Sequence, residues 1–264
     1  MILPHRKLIK PPVGQRPYRG HRLSKGLVGC WLMNEGGGSI VQDLSGNGLD
    51  ATLGAGAAAP TWVAGNFGYG ISFDGGDNLD MPSKVRITPN FSLVFWEKAT
   101  AEASGFRIFL GEKDTSQNWI ATLGATGALG VMRVIWDDGT TTDSTQGEAV
   151  ASLGVYSQWV VTYSDPTINF YQNGNFIGTG VATGKNFDFN CIGEGHNTIL
   201  YNGVFDHFIH YNRALSASEV ALLYREPFCM FYNENQFGIL GSYTTPVGGN
   251  AGIMTCNTGY WGSI

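Results

Sequence analysis

One pattern recurs along most of this chain: a short apolar run ends at a glycine or an Asp/Asn-Gly turn, and another begins. Runs of this kind occupy 26–32, 68–73, 91–96, 106–110, 119–123, 129–136 and 159–163. Asp74-Gly75 and Asp137-Asp138-Gly139 close two of them, and Asp43-Leu44-Ser45-Gly46-Asn47-Gly48 is a turn in its own right. The runs are too short for helices and are rich in aromatic and β-branched residues, so they predict strands. Glycine stands at 38 of 264 residues, roughly twice ordinary usage, without a collagen period. Asn173-Gly174 lies between 167–171 and 176–179 and predicts a tight hairpin, because this dipeptide suits the turn whose twist matches paired strands. There is no internal repeat and no strand–helix alternation. The expected class is therefore all-β, an antiparallel two-sheet sandwich.

The segment 205–224, FDHFIHYNRALSASEVALLY, predicts the one exception. An extended run over 204–211 gives way to Ser216 and Glu219, the spacing of a capping box. Glu226 precedes Pro227, which pushes it out of the helical region, so the helix is short. Strict alternation over 204–211 would place Asp206 and His210 on one face, a pairing suited to a metal or a proton transfer. These signals divide the chain into a proline-rich arm (1–25), a body (26–224) and an apolar, glycine-rich tail (225–264).

Charge is unevenly spread. The net charge of −5 combines an arm of +7, from Arg6, Lys7, Lys10, Arg16, Arg19, Arg22 and Lys25, with −12 on the remainder. A cationic arm on an acidic body is an electrostatic docking device, directed at a partner or back onto its own body. Charged residues are only 14% of the chain against about 25% in ordinary domains, as on a surface covered by neighbours. Phe228, Met230, Phe231, Tyr232 and Trp261 make the tail apolar enough to need covering. Arm and tail together are the expected partner-binding segments.

Several classes are disfavoured. Prolines 4, 11, 12 and 17 stand where a secretory signal has its apolar stretch, and no apolar run is long enough to span a membrane. The four cysteines lack C-x-x-C pairing, so zinc is not expected, and Cys30 and Cys191 are expected as buried free thiols. Phosphate loops are absent. The arm lacks the aromatic interleaving of a nucleic-acid binder.

The ordered motifs resemble the laminin-G-like domains of the concanavalin A-like lectin superfamily. They are Gly26-Leu27-Val28-Gly29-Cys30-Trp31 with Asn34-Glu35-Gly36, the Asp43–Gly48 turn, and Phe67-Gly68 with Phe73-Asp74-Gly75. Trp159-Val160-Val161-Thr162-Tyr163, Phe170-Tyr171-Gln172-Asn173-Gly174 and Tyr211-Asn212-Arg213-Ala214-Leu215-Ser216 with Glu219-Val220 complete the series. The resemblance implies a jelly-roll sandwich over about 27–224. The flanks, Arg6-Lys7-Leu8-Ile9-Lys10-Pro11-Pro12 and Tyr224-Arg225-Glu226-Pro227-Phe228-Cys229-Met230-Phe231, resemble a subgroup from tailed bacteriophages. That implies a virion protein: a multi-copy or homo-oligomeric capsid decoration or cement protein, held to major capsid or tail proteins by its arms. The alternative is a tail or fibre adhesin that binds host glycans.

The superfamily also suggests chemistry to look for. Its glucanases carry E-x-D-x-E on one strand, whereas Glu112-Lys113-Asp114 lacks a third acid, so no enzyme is expected. No cofactor is required, although calcium is common in the superfamily, with Asp43, Asn47, Asp50 and Asp206 as candidate ligands. Trp62, Trp119 and Trp136 are the candidate glycan platforms.

Overall fold

The structure, a computed structural model, describes residues 8–232 apart from 88–89, 101–104, 114–117, 125–130, 138–141, 151–152, 186 and 195–200. Side chains are also outside the description at 87, 105–108, 118–124, 131, 136–137, 142–150 and 187. The compact unit is Met1–Asn233, and Glu234–Ile264 is a separate unit outside the described residues. The unit contains the body, the described arm and the start of the tail, so its chain runs past 224.

Among the described residues, sixteen strands form two antiparallel sheets. The first has the order β14 (Asn175–Val181), β13 (Thr167–Gln172), β12 (Ser157–Ser164), β7 (Asn90–Ala99), β16 (Asn202–Tyr211), β5 (Tyr69–Asp74) and β4 (Thr61–Ala64). β1 (Leu27–Trp31) pairs with the second half of β16, where β5 leaves off. The second sheet has the order β11 (Thr142–Val150), β10 (Val131–Asp137), β9 (Asn118–Gly124), β8 (Gly105–Gly111), β15 (Phe187–Ile192), β6 (Leu79–Ile87), β3 (Ala51–Leu53) and β2 (Ile40–Val41). The predicted hairpin closes with Gln172 opposite Asn175, and Asn173 and Gly174 both take positive φ, 50° and 77°.

The expected sandwich is present, and its core between the sheets is aromatic: Trp31, Phe73, Phe95, Phe109, Phe189, Phe205 and Phe208 are all buried. Trp31 stacks on Phe208, and Phe189 meets the same ring edge-on.

The outer face of the first sheet is also buried. Val94, Val160, Ile209 and Tyr211 project outward and are covered by Val220 and Leu223 of the helix α1 (Ala217–Arg225) and by Phe228, Met230 and Phe231 beyond it. The predicted capping box forms, with Ser216 Oγ accepting from the Glu219 amide while Glu219 accepts from the Ser216 amide. Arg213 grips both Glu219 oxygens at 2.8 and 2.9 Å. The motif from Tyr211 to Glu219 is thus a device that fastens the helix to the end of β16. The arm completes the cover: Leu23 is buried in this cluster, Tyr18 N–H donates to the Met230 carbonyl and Gln15 Nε2 to the Phe231 carbonyl.

Candidate functional site

Asp206 and His207 lie where β16 breaks its alternation. A register shift between Phe205 and His207 leaves Phe205 and Phe208 both in the inter-sheet core. His207 turns instead to the outer face, against Phe67, Trp96 and Phe228. The bulge therefore overturns the expected pairing of Asp206 with His210. Asp206 Oδ2 meets His207 Nδ1 at 2.8 Å and Lys10 Nζ at 3.2 Å, while Oδ1 accepts from the amides of Asn66 and Phe67 at 2.7 and 3.0 Å. Lys10 Nζ also donates to the carbonyls of Tyr69 and Asp206.

The cluster is buried, which fixes its electrostatics. Burial pushes the Asp206 carboxyl up, but the His207 hydrogen bond, the Lys10 charge and the Phe67 amide outweigh it and hold the group below its ordinary value. Burial lowers Lys10, and the nearby Asp206 opposes that shift. His207 is also lowered by burial, against the pull of Asp206. A neutral His207 that gives its Nδ1 proton to an ionised Asp206 satisfies all three. This arrangement anchors the arm to β16, with both Asp206 oxygens and the Lys10 ammonium engaged by the chain itself.

The remaining buried acids are similarly held. Glu97 accepts from Trp159 Nε1 at 2.8 Å and Tyr201 OH at 2.6 Å, and Glu112 pairs with Lys84 at 2.6 Å. Asp77 accepts from the Asp74 amide. Asp43 accepts from the amides of Cys30, Ser45 and Leu49 and from the Ser45 hydroxyl. Asp50 in turn accepts from the Asp43 amide, and the Asn47 side chain donates to the Val28 carbonyl. These donor-laden groups do not fit a calcium ion, and Asp206 belongs to the Lys10 cluster. Among the described residues no three His, Cys, Asp or Glu side chains are grouped to hold a metal.

The other sequence candidates are dispersed. Trp62 is half-buried in β4 and its Nε1 donates to the Gly38 carbonyl at 2.9 Å. Trp119 and Trp136 lie in β9 and β10, and their side chains lie outside the described residues. Cys30 and Cys191 are buried free thiols, and Cys229 is buried. In the arm, Lys10 is buried, Arg16, Arg19, Arg22 and Lys25 are exposed, and Arg6 and Lys7 lie outside the described residues. In the tail, Phe228, Met230 and Phe231 are buried by the chain itself, Tyr232 is half-buried, and Trp261 lies outside the described residues.

A site that sequence reading missed lies where the arm crosses the Asp43–Gly48 turn. A cavity of about 320 Å³ opens there, with Arg16, Arg19, Ser24, Ser45 and Asn47 among its walls. Leu27 and Leu44 supply apolar lining. Gly46 takes a φ of +94°, and a Cβ on it would come within 3.4 Å of Arg16 Nη1. The glycine thus lets the turn pass beneath the guanidinium. The signal available in sequence was two cations separated from a serine- and asparagine-bearing turn by about thirty residues, which no local pattern connects.

Comparison with solved structures supports the fold. The carbohydrate-associated example is domain 4 of AbnA, a GH43 extracellular arabinanase from Geobacillus stearothermophilus, in complex with arabinotriose. It matches with a TM-score of 0.58 and 19% identity, over 75% of this chain and 97% of that one. The binding domain of Paraclostridial Mosquitocidal Protein 1 matches with a TM-score of 0.58 and 16% identity, over 77% of this chain and 52% of that one. The receptor-binding domain of botulinum neurotoxin type G gives 0.52 and 17%, over 76% and 51%. This chain therefore spans nearly all of the arabinanase domain but about half of the two toxin domains. Among curated proteins, none matches the sequence. A laminin G family model, described as concanavalin A-like lectin/glucanases superfamily, matches residues 73–221. With that match covering more than half of its length, and with two antiparallel sheets in a jelly-roll sandwich, the chain belongs to the laminin G family of the concanavalin A-like lectin/glucanases superfamily.

Proposed function

We propose that this protein is a non-catalytic, glycan-binding jelly roll that serves a virion as a host-surface adhesin. The observation that carries the non-catalytic part is the use of its buried acids. The five buried acidic side chains among the described residues, Asp43, Asp77, Glu97, Glu112 and Asp206, are each held by donors of the chain itself. Glycoside hydrolysis needs two carboxylates facing a sugar across a cleft, and here the acids serve as structural acceptors. Binding is supported by the superfamily fold and by its likeness to a domain seen with arabinotriose. The virion setting is supported by the phage-like flanks around Lys10 and Phe228. A panel of immobilised host-envelope polysaccharides tests the reading: saturable retention on at least one supports it, and no retention on any member rejects it.

A second reading is favoured by one observation. Four of the ten exposed large apolar side chains among the described residues fall in the arm, namely Leu8, Ile9, Val13 and Tyr18, and Ile9 is 62% exposed. Apolar residues set beside exposed cations suit attachment to capsid or tail proteins, so the chain would decorate or cement the particle. The I9S/V13S variant should then keep its melting temperature and lose incorporation into particles. Incorporation at the wild-type copy number would reject this reading.

A further inference from the structure

We propose that the cavity between the arm and the Asp43–Gly48 turn binds an anionic saccharide, a sugar bearing a carboxylate or a phosphate ester. This rests on the glycan-binding reading and gives it a place and a ligand chemistry. Arg16 and Arg19 line the cavity and are exposed. Neither makes an ion pair or a hydrogen bond among the described residues. Arg86 and Arg213, by contrast, are paired with Asp188 and Glu219; Arg22 and Arg225 are also exposed, but they do not line this cavity. The carboxylate within the turn, Asp43, is engaged by three amides and the Ser45 hydroxyl, so it is spent on the turn. Two guanidinium groups on a cavity whose lining includes no acidic side chain select an oxyanion, which their planar N–H pairs bind in bidentate fashion.

The other walls suit the sugar that carries the anion. Ser24 Oγ donates to the Tyr18 carbonyl at 2.7 Å and keeps its lone pairs free to accept. Asn47 donates its amide N–H groups to the Val28 carbonyl and neighbouring oxygens, and its carbonyl oxygen has no partner among the described residues. Cations therefore donate to the anion, while Ser24 and Asn47 accept from sugar hydroxyls. Leu27 offers an apolar surface for a ring face. The volume, about 320 Å³, is at the lower end of the roughly 300–1,000 Å³ of small-ligand pockets, enough for one or two rings.

The test is titration of the full chain with digalacturonic acid, galactose 1-phosphate and neutral galactobiose at two salt concentrations. At least one of the charged probes should bind at least tenfold more tightly than galactobiose, and its affinity should fall as salt rises. R16A/R19A should lose that preference while its melting temperature is unchanged, since both side chains are exposed. Retention of a carboxylate but not a phosphate ester, or the reverse, identifies which oxyanion the cavity takes. Equal affinity for neutral and charged probes, or full charged-probe affinity in R16A/R19A, overturns the cavity assignment and leaves glycan binding elsewhere standing. Failure of the wider polysaccharide panel rejects the glycan reading itself.

Discussion

His210 shows how a side chain can be read correctly for position and missed for consequence. Alternation places it on the same face as Phe208, and there it lies, edge-on to Phe189 with a 6.0 Å centroid separation. Its two ring nitrogens are buried without hydrogen-bond partners among the described residues. Burial alone pushes its pKa down to about 3, against an unfolded value of about 6.5. Between those values the unfolded chain binds a proton that the folded chain refuses, so stability rises with pH. The contribution is complete above the unfolded value and erodes as pH falls, by about 1.4 kcal/mol per pH unit for one proton. His207, also lowered, adds in the same direction. Urea unfolding of H210F should show a pH dependence between 6 and 4.5 shallower than wild type by about that 1.4 kcal/mol per unit. An unchanged slope would mean that His210 is protonated in the folded protein.

At the scale of elements, the sequence was legible wherever local chemistry decides. The Asn173-Gly174 hairpin and the Ser216–Glu219 box need only their own residues, and both formed as expected. Strands were missed where the local pattern is interrupted. Pro82 lies inside β6, but the register between β15 and β6 jumps from Val85 to Asp80 across the Phe189–Cys191 step. The proline thus falls in a bulge, where no ladder donor is needed. β11, Thr142–Val150, is mostly polar and small and lies at the end of its sheet, so it carries no apolar period to detect. The Lys10–Asp206 pair was invisible for another reason: 196 residues separate the partners, and the bulge that turns Asp206 toward Lys10 is a tertiary event. That pair ties the arm to β16. K10M would leave Asp206 buried without its cation and should cost about 3–5 kcal/mol, measured by urea unfolding at pH 7.5. A loss below about 1 kcal/mol would show that the His207 and amide contacts suffice without it.

For the whole molecule, the arm and the start of the tail have a dual character. Lys10, Leu23, Phe228, Met230 and Phe231 close the outer face of the first sheet, while Ile9, Val13, Arg16 and Arg19 remain at the surface. Charge and hydrophobicity in sequence cannot separate these roles, since each group mixes with the other along one stretch of chain. Removing the arm would therefore damage the body it covers, and single surface substitutions are the cleaner probe of attachment. The central claim is that this jelly roll binds a glycan and leaves it intact. The most direct measurement is calorimetric titration of the full chain with a retained saccharide, followed by chromatography of the recovered ligand. The account predicts a saturable isotherm and a ligand of unchanged length; an absence of saturable heat, or the recovery of shortened products, would contradict it.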